Sequence, residues 1–541
     1  MVGRAGLVRI VRAKRIMTMA GDDIEGIAIL GSHIVAGGTV KCLMDRFNGA
    51  KVVDYGNATI LPGFNDAHLH LTMMASQLLG VDLAAEITPD FEALRRRISA
   101  SASRLKPGEW LRASRYDQSA TTQGRILDRS QFDQLVPDNP AVITHVGAHW
   151  GVVNSMALCL ANVDESSPDP SGGYYGRDNE GRLTGYVSEQ ALFDFAYPSL
   201  SRRLDLLPQA PAADVTTTIR NASRTLLSAG ITSVGDAMIG PQELRDLQLA
   251  READALGVRV NALITWPHLD TLGKLGIRSG FGDEWLRIGG VKVFVDGAIA
   301  GRSCAVAEPF EGTEDDGILT MDHESFREVA ERATACGMRL AIHANGERAI
   351  ELVLDVLESL PASNDAPRHR IEHCSIVTPS ILRRIAALKI IVVPFASYPS
   401  YHGDKLMEWY GHRRARRMFA HRWFLDEGIL VAGSSDFPCG PFEPLVGIQS
   451  CVTRMTGSGA PFGTEQRISL REAIGLYSVG SAAASGEGGT KGQLSPGYLA
   501  DFVVLGGDLL DVPPEDLGLV KVLATWVGGQ ERYGGNAVTD Q

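Results

Sequence analysis

The chain has 541 residues and a mass of 58.1 kDa, far more than the roughly 100 to 200 residues of a typical domain. Its composition, with 44% hydrophobic residues, 21% charged residues and 59 glycines, is typical of a globular α/β protein and excludes a disordered or repetitive one. A net charge of −12 and a pI near 5.6 disfavour a nucleic-acid-binding surface. The basic run "HRRARR" at 412–417 is interpreted as a solvated helix face.

The seven cysteines include no C-x-x-C pair, which disfavours both a disulfide framework and a thiolate zinc site. A reducing compartment, and therefore a cytoplasmic location, fits this pattern best. Residues 1–20 mix Arg and Lys with apolar residues, so they contain no uninterrupted region of signal-peptide length. No apolar run approaches the ~18 residues that would span a bilayer.

Both ends of the chain contain strand-and-turn sequences. The N-terminal part contains "GIAILGSHIVAGG" (26–38) and "AKVVDYG" (50–56), and the C-terminal part contains "LADFVVLGGDLL" (499–510) and "VLATWVGGQERYGG" (522–535). We expect residues 1–58 and 486–541 to pair into one small β-sandwich.

Between these ends, eight short apolar runs alternate with amphipathic, helix-like stretches such as "ESFREVAERATACG" (324–337), which ends at Gly. This alternation predicts an α/β fold with a parallel sheet, and eight units predict a (β/α)8 TIM barrel over residues 59–485. The runs lie at 58–68, 230–238, 258–266, 288–298, 338–345, 369–376, 388–397 and 428–436.

The first and second runs are separated by roughly 160 residues, too many for a loop. We expect an inserted subdomain at about 74–215. Its segment "DPSGGYYGRDNEGRLTGYV" (169–187) is rich in turn residues and predicts a β-hairpin.

The stretch "ILPGFNDAHLHL" (60–71) ends the first run with His68 and His70. If the run is a strand, both imidazoles point to the same side, because side chains alternate with period two, and the two can chelate an ion together. Polar residues also end other runs, where barrels place their active sites. These residues are Lys292 and Asp296 in the fourth run, His343 in the fifth, His373 in the sixth and Asp436 in the eighth.

Imidazole nitrogens and a carboxylate are the ligands expected for zinc or a similar divalent ion, with an open position for water. The set as a whole therefore predicts a metal site. Lys292 is the exception, because an ammonium cannot bind a cation. It is either a structural lysine paired with a carboxylate such as Asp296, or a lysine converted by carbon dioxide to an anionic carbamate that bridges two metals.

Several motifs together resemble the amidohydrolase superfamily, in particular the YtcJ-like branch that includes N-substituted formamide deformylase. The similarity covers nearly the whole chain, including "GAHWGVVNSMAL" (147–158) in the insertion. The motifs are "LPGFNDAHLH" (61–70), "VKVFVDGA" (291–298), "AIHANGERAI" (341–350), "RIEHCSIV" (370–377), "GSSDFP" (433–438) and "GQLSPGYLADFVVL" (492–505).

The resemblance implies a mononuclear or binuclear metal centre at the barrel mouth. By position, His68, His70 and Asp436 would bind the more buried metal, His343 and His373 the more exposed one, and a carboxylated Lys292 would bridge them. Two departures from the family pattern touch no proposed ligand, but both are expected to alter the substrate pocket. Cys304 stands where Thr is expected, and Glu347 stands where Asp is common.

The expected activity is hydrolysis of a carbon–nitrogen bond, in an amide, N-formyl or cyclic amide substrate, by a metal-activated hydroxide with Asp436 as general base. His149, Asn154 and Arg302 are candidate substrate-binding residues, because their segments recur in the branch and place polar groups beside Gly turns. One alternative is a mononuclear zinc deaminase of an aminated heterocycle, since "HANGE" (343–347) loosely resembles the His-and-Glu arrangement of such enzymes. A remote alternative is a non-catalytic binding or regulatory protein.

The expected cofactor is one or two divalent ions, zinc first, although Mn, Fe, Co and Ni also suit these ligands. The expected partner is a small-molecule substrate, with no nucleic acid and no membrane. The sequence names neither the acyl group nor the amine, and it leaves the oligomeric state open, a homo-oligomer included.

Overall fold

A computed structural model describes residues 8–201, 203, 206, 211–360, 367–534 and 538–539. Parts of the predicted terminal regions and of the predicted insertion lie outside these residues. Within them, most strands belong to three sheets, one for the barrel, one for the chain ends and one for the region between the first two barrel strands.

The barrel sheet contains seven parallel strands in chain order, each hydrogen-bonded to the next. A short strand, Phe281–Gly282, adds an antiparallel pair beside the fourth. The seven strands are Phe64–Leu69, Ile231–Ile239, Arg259–Thr265, Leu286–Phe294, Leu340–Ala344, Arg370–His373 and Ile391–Val393.

The eighth predicted run closes the ring through isolated bridges rather than as a full strand. Val431 and Ser434 pair in parallel with the seventh strand and its extension. On the other side, Ala67 N donates to Gly433 O at 3.0 Å and Asp436 N donates to His68 O at 2.9 Å. The described sheet is therefore a nearly closed parallel barrel, as the sequence predicts.

The first predicted run divides at Gly63 between two sheets. Thr59–Pro62 joins the sheet of the chain ends, whereas Phe64–Leu69 is the first barrel strand. A Cβ on Gly63 would lie 2.3 to 2.8 Å from the side chain of Thr232, so only glycine permits this approach.

The chain ends together form one nine-stranded sheet. Thr59–Pro62 stands between Arg9–Ile16 and Phe502–Leu505 and joins the two ends. The strands are Arg9–Ile16, Ile24–Leu30, His33–Gly38, Lys51–Asp54, Thr59–Pro62, Phe502–Leu505, Val522–Val527, Gln530–Tyr533 and Val538–Thr539. The two-layer sandwich and its limits stay predictions.

This sheet is attached to the N-terminal end of the barrel by a buried ion pair. Arg259, the first residue of the third barrel strand, donates from Nε and Nη2 to the Asp501 carboxylate at 2.6 and 3.1 Å. Both side chains are almost fully buried. The opposite end of the barrel, where the strands finish, is left for a functional site.

The region after the first barrel strand has its own six-stranded sheet, and the predicted hairpin corresponds to the pair Gly173–Arg177 and Leu183–Glu189. Two apolar clusters pack in this region, distinct from the main barrel core, and one of them also includes Met238 of the second barrel strand. The strands are Val81–Asp82, Leu111–Tyr116, Ala141–His145, Trp150–Val153, Gly173–Arg177 and Leu183–Glu189. The limits 74–215 stay a prediction.

Helices follow most barrel strands and cover the barrel. The predicted helix at 324–337 is His323–Ala335, followed by Gly337 at φ +66°. The α-helices are Val40–Arg46, Leu71–Gln77, Phe91–Ala102, Gln118–Thr121, Arg129–Leu135, Ser155–Leu160, Gln190–Ala196, Ala212–Ser228, Pro241–Glu252, Leu269–Lys274, His323–Ala335, Glu347–Ser359, Pro379–Ala387, Tyr398–Tyr401, Gly403–Ala415, His421–Asp426, Pro444–Thr453, Leu470–Gly475 and Ser481–Ala484.

The basic run at 412–417 is only partly the solvated face that its composition predicts. Arg413 and Arg416 are exposed, but Arg414 is buried and donates to the carbonyls of Tyr410 and Pro309, both at 2.7 Å. The buried arginine serves the fold by satisfying backbone acceptors. In the described ranges, the helices are all too short or too polar to cross a bilayer.

Candidate metal centre

Two histidines and one aspartate converge where the first strand meets the eighth segment. His68 is the second-last residue of the first strand, Phe64–Leu69, while His70 lies just beyond the strand and precedes helix Leu71–Gln77. Nε2 of His68 and Nε2 of His70 lie 3.3 and 3.2 Å from the same Oδ1 of Asp436. The backbone of Asp436 is at φ +53°, an unusual conformation for a residue with a side chain and one often found at functional sites.

His373 extends this cluster across the barrel. Ligand atoms of His68, His373 and Asp436 all lie within 4.8 Å of one another, close enough for one ion to contact all three. The ring of His343 stands 4.6 Å from that of His373, centroid to centroid. The structure thus brings four histidines and the aspartate of the predicted set together at the mouth of the barrel.

The histidine rings of this cluster have nitrogen lone pairs that are available to a cation. Nδ1 of His373 is buried and has no hydrogen-bond partner in the described residues. Nε2 of His343 lies 3.1 Å from the carbonyl oxygen of Gly297 and 3.0 Å from Nδ2 of Asn345, so the hydrogen-bonding contacts of this ring are on Nε2. Burial lowers the pKa of His68 to about 4 and holds those of His343 and His373 well below the usual value, so the rings are neutral. Neutral imidazoles are the form that binds metals.

Lys292, in the fourth strand, is buried beside this cluster. Its Nζ is 3.4 Å from His68 Nε2, and no described carboxylate lies within salt-bridge distance. Asp296 does not pair with it; its carboxylate accepts the backbone N–H groups of Ala305, Asn345 and Gly346 at 2.9 to 3.0 Å. Burial lowers the pKa of Lys292 to about 8, although the charges of Glu372 and Asp436 act in the opposite direction.

Behind His68 lies a buried carboxylate that the sequence analysis missed. Glu372 accepts a hydrogen bond from His68 Nδ1, and Arg370 donates to both Glu372 oxygens at 2.5 and 2.7 Å. Burial raises the pKa of Glu372, but the charge of Arg370 and the hydrogen bonds from His68 and Arg370 outweigh it and hold that pKa well below its usual range. A carboxylate on Nδ1 fixes the proton there and leaves the Nε2 lone pair for a ligand position.

The signal for this pair was present in "RIEH". Arg370 and Glu372 are charged residues two apart in a short barrel strand, so they point to the same side, into the barrel interior. Both are fully buried. Charged residues in such a position are paired or ligating, because an isolated buried charge is too costly.

His149 reaches the cluster from the inserted region. Its ring is 5.5 Å from that of His343, and its Nδ1 lies 2.9 and 3.0 Å from the two oxygens of Glu189. Burial lowers the pKa of His149, but the Glu189 carboxylate outweighs it, and the net shift is upward. The structure therefore brings this predicted substrate-binding residue to the site, held by a carboxylate that the sequence analysis did not name.

Asn154 does not act as predicted. Its Oδ1 accepts the N–H groups of Ala141 and Ala157 at 2.9 and 3.0 Å, and its Nδ2 donates to the carbonyls of Val136 and Asn139 at 3.2 and 2.8 Å. These four bonds use every donor and acceptor of the amide. The side chain caps helix Ser155–Leu160 and joins elements of the insertion, and it has no group left for a substrate.

Arg302 lies in the loop after the fourth strand, half-buried, with its guanidinium 5.6 Å from the ring centroid of Phe310. No described contact joins it to the histidines, and its substrate role stays a prediction. Glu347, on which the deaminase alternative depends, is bound by Arg417 Nη2 at 3.0 Å. Cys304 is buried, with Sγ 3.3 Å from the hydroxyl of Tyr410.

Comparison with known proteins places this architecture and its cluster in one family. The amidohydrolase family model matches residues 51–533, and the chain belongs to that family. It is therefore a metal-dependent hydrolase, and His68, His373 and Asp436 are grouped closely enough to hold a divalent ion.

Three relatives illustrate the likeness. The chain is 28% identical to the YtcJ protein of Bacillus subtilis (strain 168), with 96% of this chain and 97% of the relative covered. It is 30% identical to the N-substituted formamide deformylase of Arthrobacter pascens, with 90% of each covered. The crystal structure of an uncharacterised metal-dependent hydrolase from Pyrococcus horikoshii OT3 superposes with a TM-score of 0.75 at 25% identity, covering 94% of this chain and 99% of the other. These likenesses agree with the YtcJ-like branch.

Proposed function

We propose that this protein hydrolyses a carbon–nitrogen bond of a small molecule, an amide, N-formyl group or cyclic amide. The observation that carries the proposal is the convergence of His68 Nε2 and His70 Nε2 on one oxygen of Asp436, beside His373. A formamide deformylase among the relatives is consistent with a substrate of this class.

The proposed ligand set is that implied by the family resemblance, and zinc is the expected ion. His68, His70 and Asp436 would hold the more buried ion, His343 and His373 the more exposed one, and Lys292 as a carbamate would lie between them. Support for the carbamate is that Nζ of Lys292 is buried against an imidazole and has no carboxylate partner in the described residues. When bound, a divalent metal lowers the pKa of a bound water to about 7 and polarises the substrate carbonyl.

Asp436 is the proposed general base. Its carboxylate takes the proton of the attacking water and delivers it to the departing amine nitrogen. Burial alone would raise the pKa of Asp436, but its contact with His70 and the neighbouring charges lower it to about 2, so the group enters the reaction ionised. Glu372 and Arg370 contribute by keeping the proton of His68 on Nδ1.

His149 is the proposed substrate-orienting group. With its Nδ1 proton donated to Glu189, the ring is fixed at the edge of the cluster. Its position near His343 suits a hydrogen bond to the substrate carbonyl or acyl part, and its origin in the insertion makes it a contact that sets specificity.

The deaminase alternative requires Glu347 to protonate a ring nitrogen. Its pairing with Arg417 and with the N–H of Ala307 at 3.4 Å engages both carboxylate oxygens. The non-catalytic alternative is disfavoured because each proposed ligand is present. A cytoplasmic location and the oligomeric state stay predictions.

The reaction is tested by screening the purified protein against N-formyl, N-acyl, cyclic amide and ester substrates, with aminated heterocycles as the contrast. Amine release from N-formyl or N-acyl substrates, abolished by chelation, is the expected result. Ammonia release from the heterocycles alone contradicts the proposal and revives the deaminase.

The carbamate is tested by loading the metal-free protein with zinc in the presence and absence of bicarbonate. Bicarbonate should raise both the bound zinc and the activity of the native chain, whereas Lys292→Arg keeps a positive charge, forms no carbamate and should not respond. An equal response of the two proteins contradicts the bridging role of Lys292.

A further inference from the structure

A cavity of about 400 Å³ lies between the inserted region and the barrel, outside the metal cluster. Insertion strands Leu111–Tyr116 and Ala141–His145 form one wall, and residues 72–80, which follow the first barrel strand, form another. Helices Ala212–Ser228 and Pro241–Glu252 complete it. Its volume falls in the range typical of small-molecule sites, which often lie at such junctions.

Arg112 brings a positive charge to this cavity. Its Nη2 donates to the carbonyl oxygen of Ala196 at 3.3 Å, and no carboxylate of the described residues lies within salt-bridge distance. The side chain is half-buried, and burial lowers the pKa of Arg112 although nearby Tyr197 and Glu243 act in the opposite direction. A guanidinium that is partly removed from water raises the free energy of the folded protein unless an anion pairs with it.

The carboxylates that line the cavity make their hydrogen bonds elsewhere, although Glu243 is near enough for its charge to act on Arg112. Glu243 accepts the N–H of Gly240 at 3.1 Å in the capping box of helix Pro241–Glu252. Asp246 accepts from Gln242 Nε2 at 2.8 Å, and Arg245 is exposed and donates to the same Gln242. Burial raises the pKa of Glu243 and of Asp246, and the charge of Arg112 acts in the opposite direction on Glu243.

The rest of the lining is largely apolar and includes Val142, Ile219 and Met238. None of the proposed metal ligands lines the cavity. Ala237, which does, accepts the His70 Nδ1 hydrogen bond at 3.2 Å through its carbonyl, so the cavity adjoins the cluster across the second barrel strand.

We propose that this cavity binds the carboxylate of a small organic acid with an apolar body, with Arg112 as its anchor. A guanidinium presents paired N–H donors that match a carboxylate in a bidentate arrangement, and the apolar walls take the remainder of the ligand. An acid of this kind has two sources. The acid is either part of the substrate or product of the metal site, or a separate effector.

Binding is measured by isothermal titration calorimetry of the purified full-length protein with hexanoate and benzoate. Hexan-1-ol and benzyl alcohol have the same bodies without the charge and serve as matched ligands. We expect saturable binding of an acid and at least about tenfold weaker binding of its alcohol. Equal affinities, or no saturable binding of either acid, overturn the proposal without any variant.

Arg112→Gln removes the charge and should weaken acid binding at least about tenfold, while alcohol binding stays unchanged. Arg112→Lys keeps a charge without the paired donors and should fall between the two. The control is Arg96→Gln, at an exposed helix position of the insertion that does not line the cavity, and it should bind as the native chain does. Unchanged acid affinity in a folded Arg112→Gln protein overturns the assignment.

The source is identified by kinetics. If the acid inhibits hydrolysis competitively and this inhibition is lost in Arg112→Gln, the acid is part of the substrate or product. If the acid changes the rate of hydrolysis and saturating substrate does not remove that change, the acid is a separate effector. Repeating the titration after removal of the metal by chelation tests acid binding independently of the proposed hydrolysis. Acid binding that survives metal removal supports the cavity site even if no hydrolysis is found, and binding that disappears with the metal overturns it.

Discussion

The two sides of the site differ in how many elements hold them. On the barrel side, His68 is bound on one nitrogen by Glu372 and faces Asp436 with the other, and the strands beneath are hydrogen-bonded to neighbours on both sides. On the insertion side, His149 depends on a single carboxylate, that of Glu189. The comparison indicates that the chemistry is built on the rigid part and that substrate choice is left to the part that tolerates change.

The strongest test of the barrel side is Asp436→Asn. The amide keeps one ligating oxygen and the size of the side chain but loses the basic carboxylate, so metal should stay bound while hydrolysis falls roughly 10²- to 10⁴-fold. Metal analysis and steady-state kinetics measure the two effects separately. Added zinc should not restore activity.

His343→Asn is the contrast, since it weakens a ligand and leaves the base. It should lower metal occupancy and recover in part with excess metal. Near-native hydrolysis by metal-loaded Asp436→Asn would show that another group is the base.

The second prediction concerns pH in the metal-free protein. Burial lowers the pKa of His68 in the folded chain to about 4, whereas the pKa of histidine in the unfolded chain is near 6.5. Between these two pH values the unfolded chain binds a proton at His68 and the folded chain does not. The His68 contribution to the free energy of unfolding is therefore complete above this window and declines, by about 3 kcal/mol, as pH falls through it.

Urea unfolding of the native chain and of His68→Gln at several pH values isolates this contribution. The comparison uses the difference in free energy of unfolding between the two proteins, because other groups also change stability with pH. Burial raises the pKa of Asp66 and of Asp296 to about 7, so these carboxyls stabilise both folded proteins as pH falls. The native chain should lose stability relative to the variant as pH falls. Exposed His323→Gln should follow the native chain, and a constant difference for His68→Gln refutes the assignment.

Glu372→Gln tests whether the barrel side depends on its supporting layer. Without the carboxylate, the proton of His68 is no longer fixed on Nδ1, and Arg370 loses its charge partner. Loss of such a partner typically costs 10- to 100-fold in metal affinity or activity, so we expect a decrease of about that size. Metal titration measures it, with exposed Glu351→Gln as the control. Native metal affinity in the folded variant would make Glu372 dispensable.

The smallest effect is expected on the insertion side. His149→Gln should raise KM or change substrate preference by about tenfold, the size of one lost hydrogen bond, and leave metal content unchanged. Asn154→Ser, which keeps a helix-capping oxygen, should change stability without changing KM. The comparison between the two sides fails if His149→Gln loses metal, or if Asn154→Ser alters substrate preference at full occupancy.

The sequence predicts the barrel side of this site better than the insertion side. Parallel strands finish at one end of a barrel, so His68, His343, His373 and Asp436 could be grouped from their places in the runs alone. The partner of His149 could not be found in this way, because pairing within the insertion depends on a sheet whose register no periodicity specifies. Asn154 was misjudged for a related reason, since a helix cap and a substrate contact both require a polar residue beside a turn.

The strand Thr59–Pro62 has a consequence for the order in which the molecule can form. Its partners Arg9–Ile16 are close in sequence, but on its other edge it requires Phe502–Leu505, and Thr59 Oγ1 donates to Gly507 O across 448 residues. During synthesis this edge stays open until Phe502–Leu505, at the far side of the barrel sequence, has left the ribosome. The sheet that supports the barrel is thus completed after all the barrel strands have been made, and the exposed edge is where a nascent chain is most open to chaperones or to aggregation.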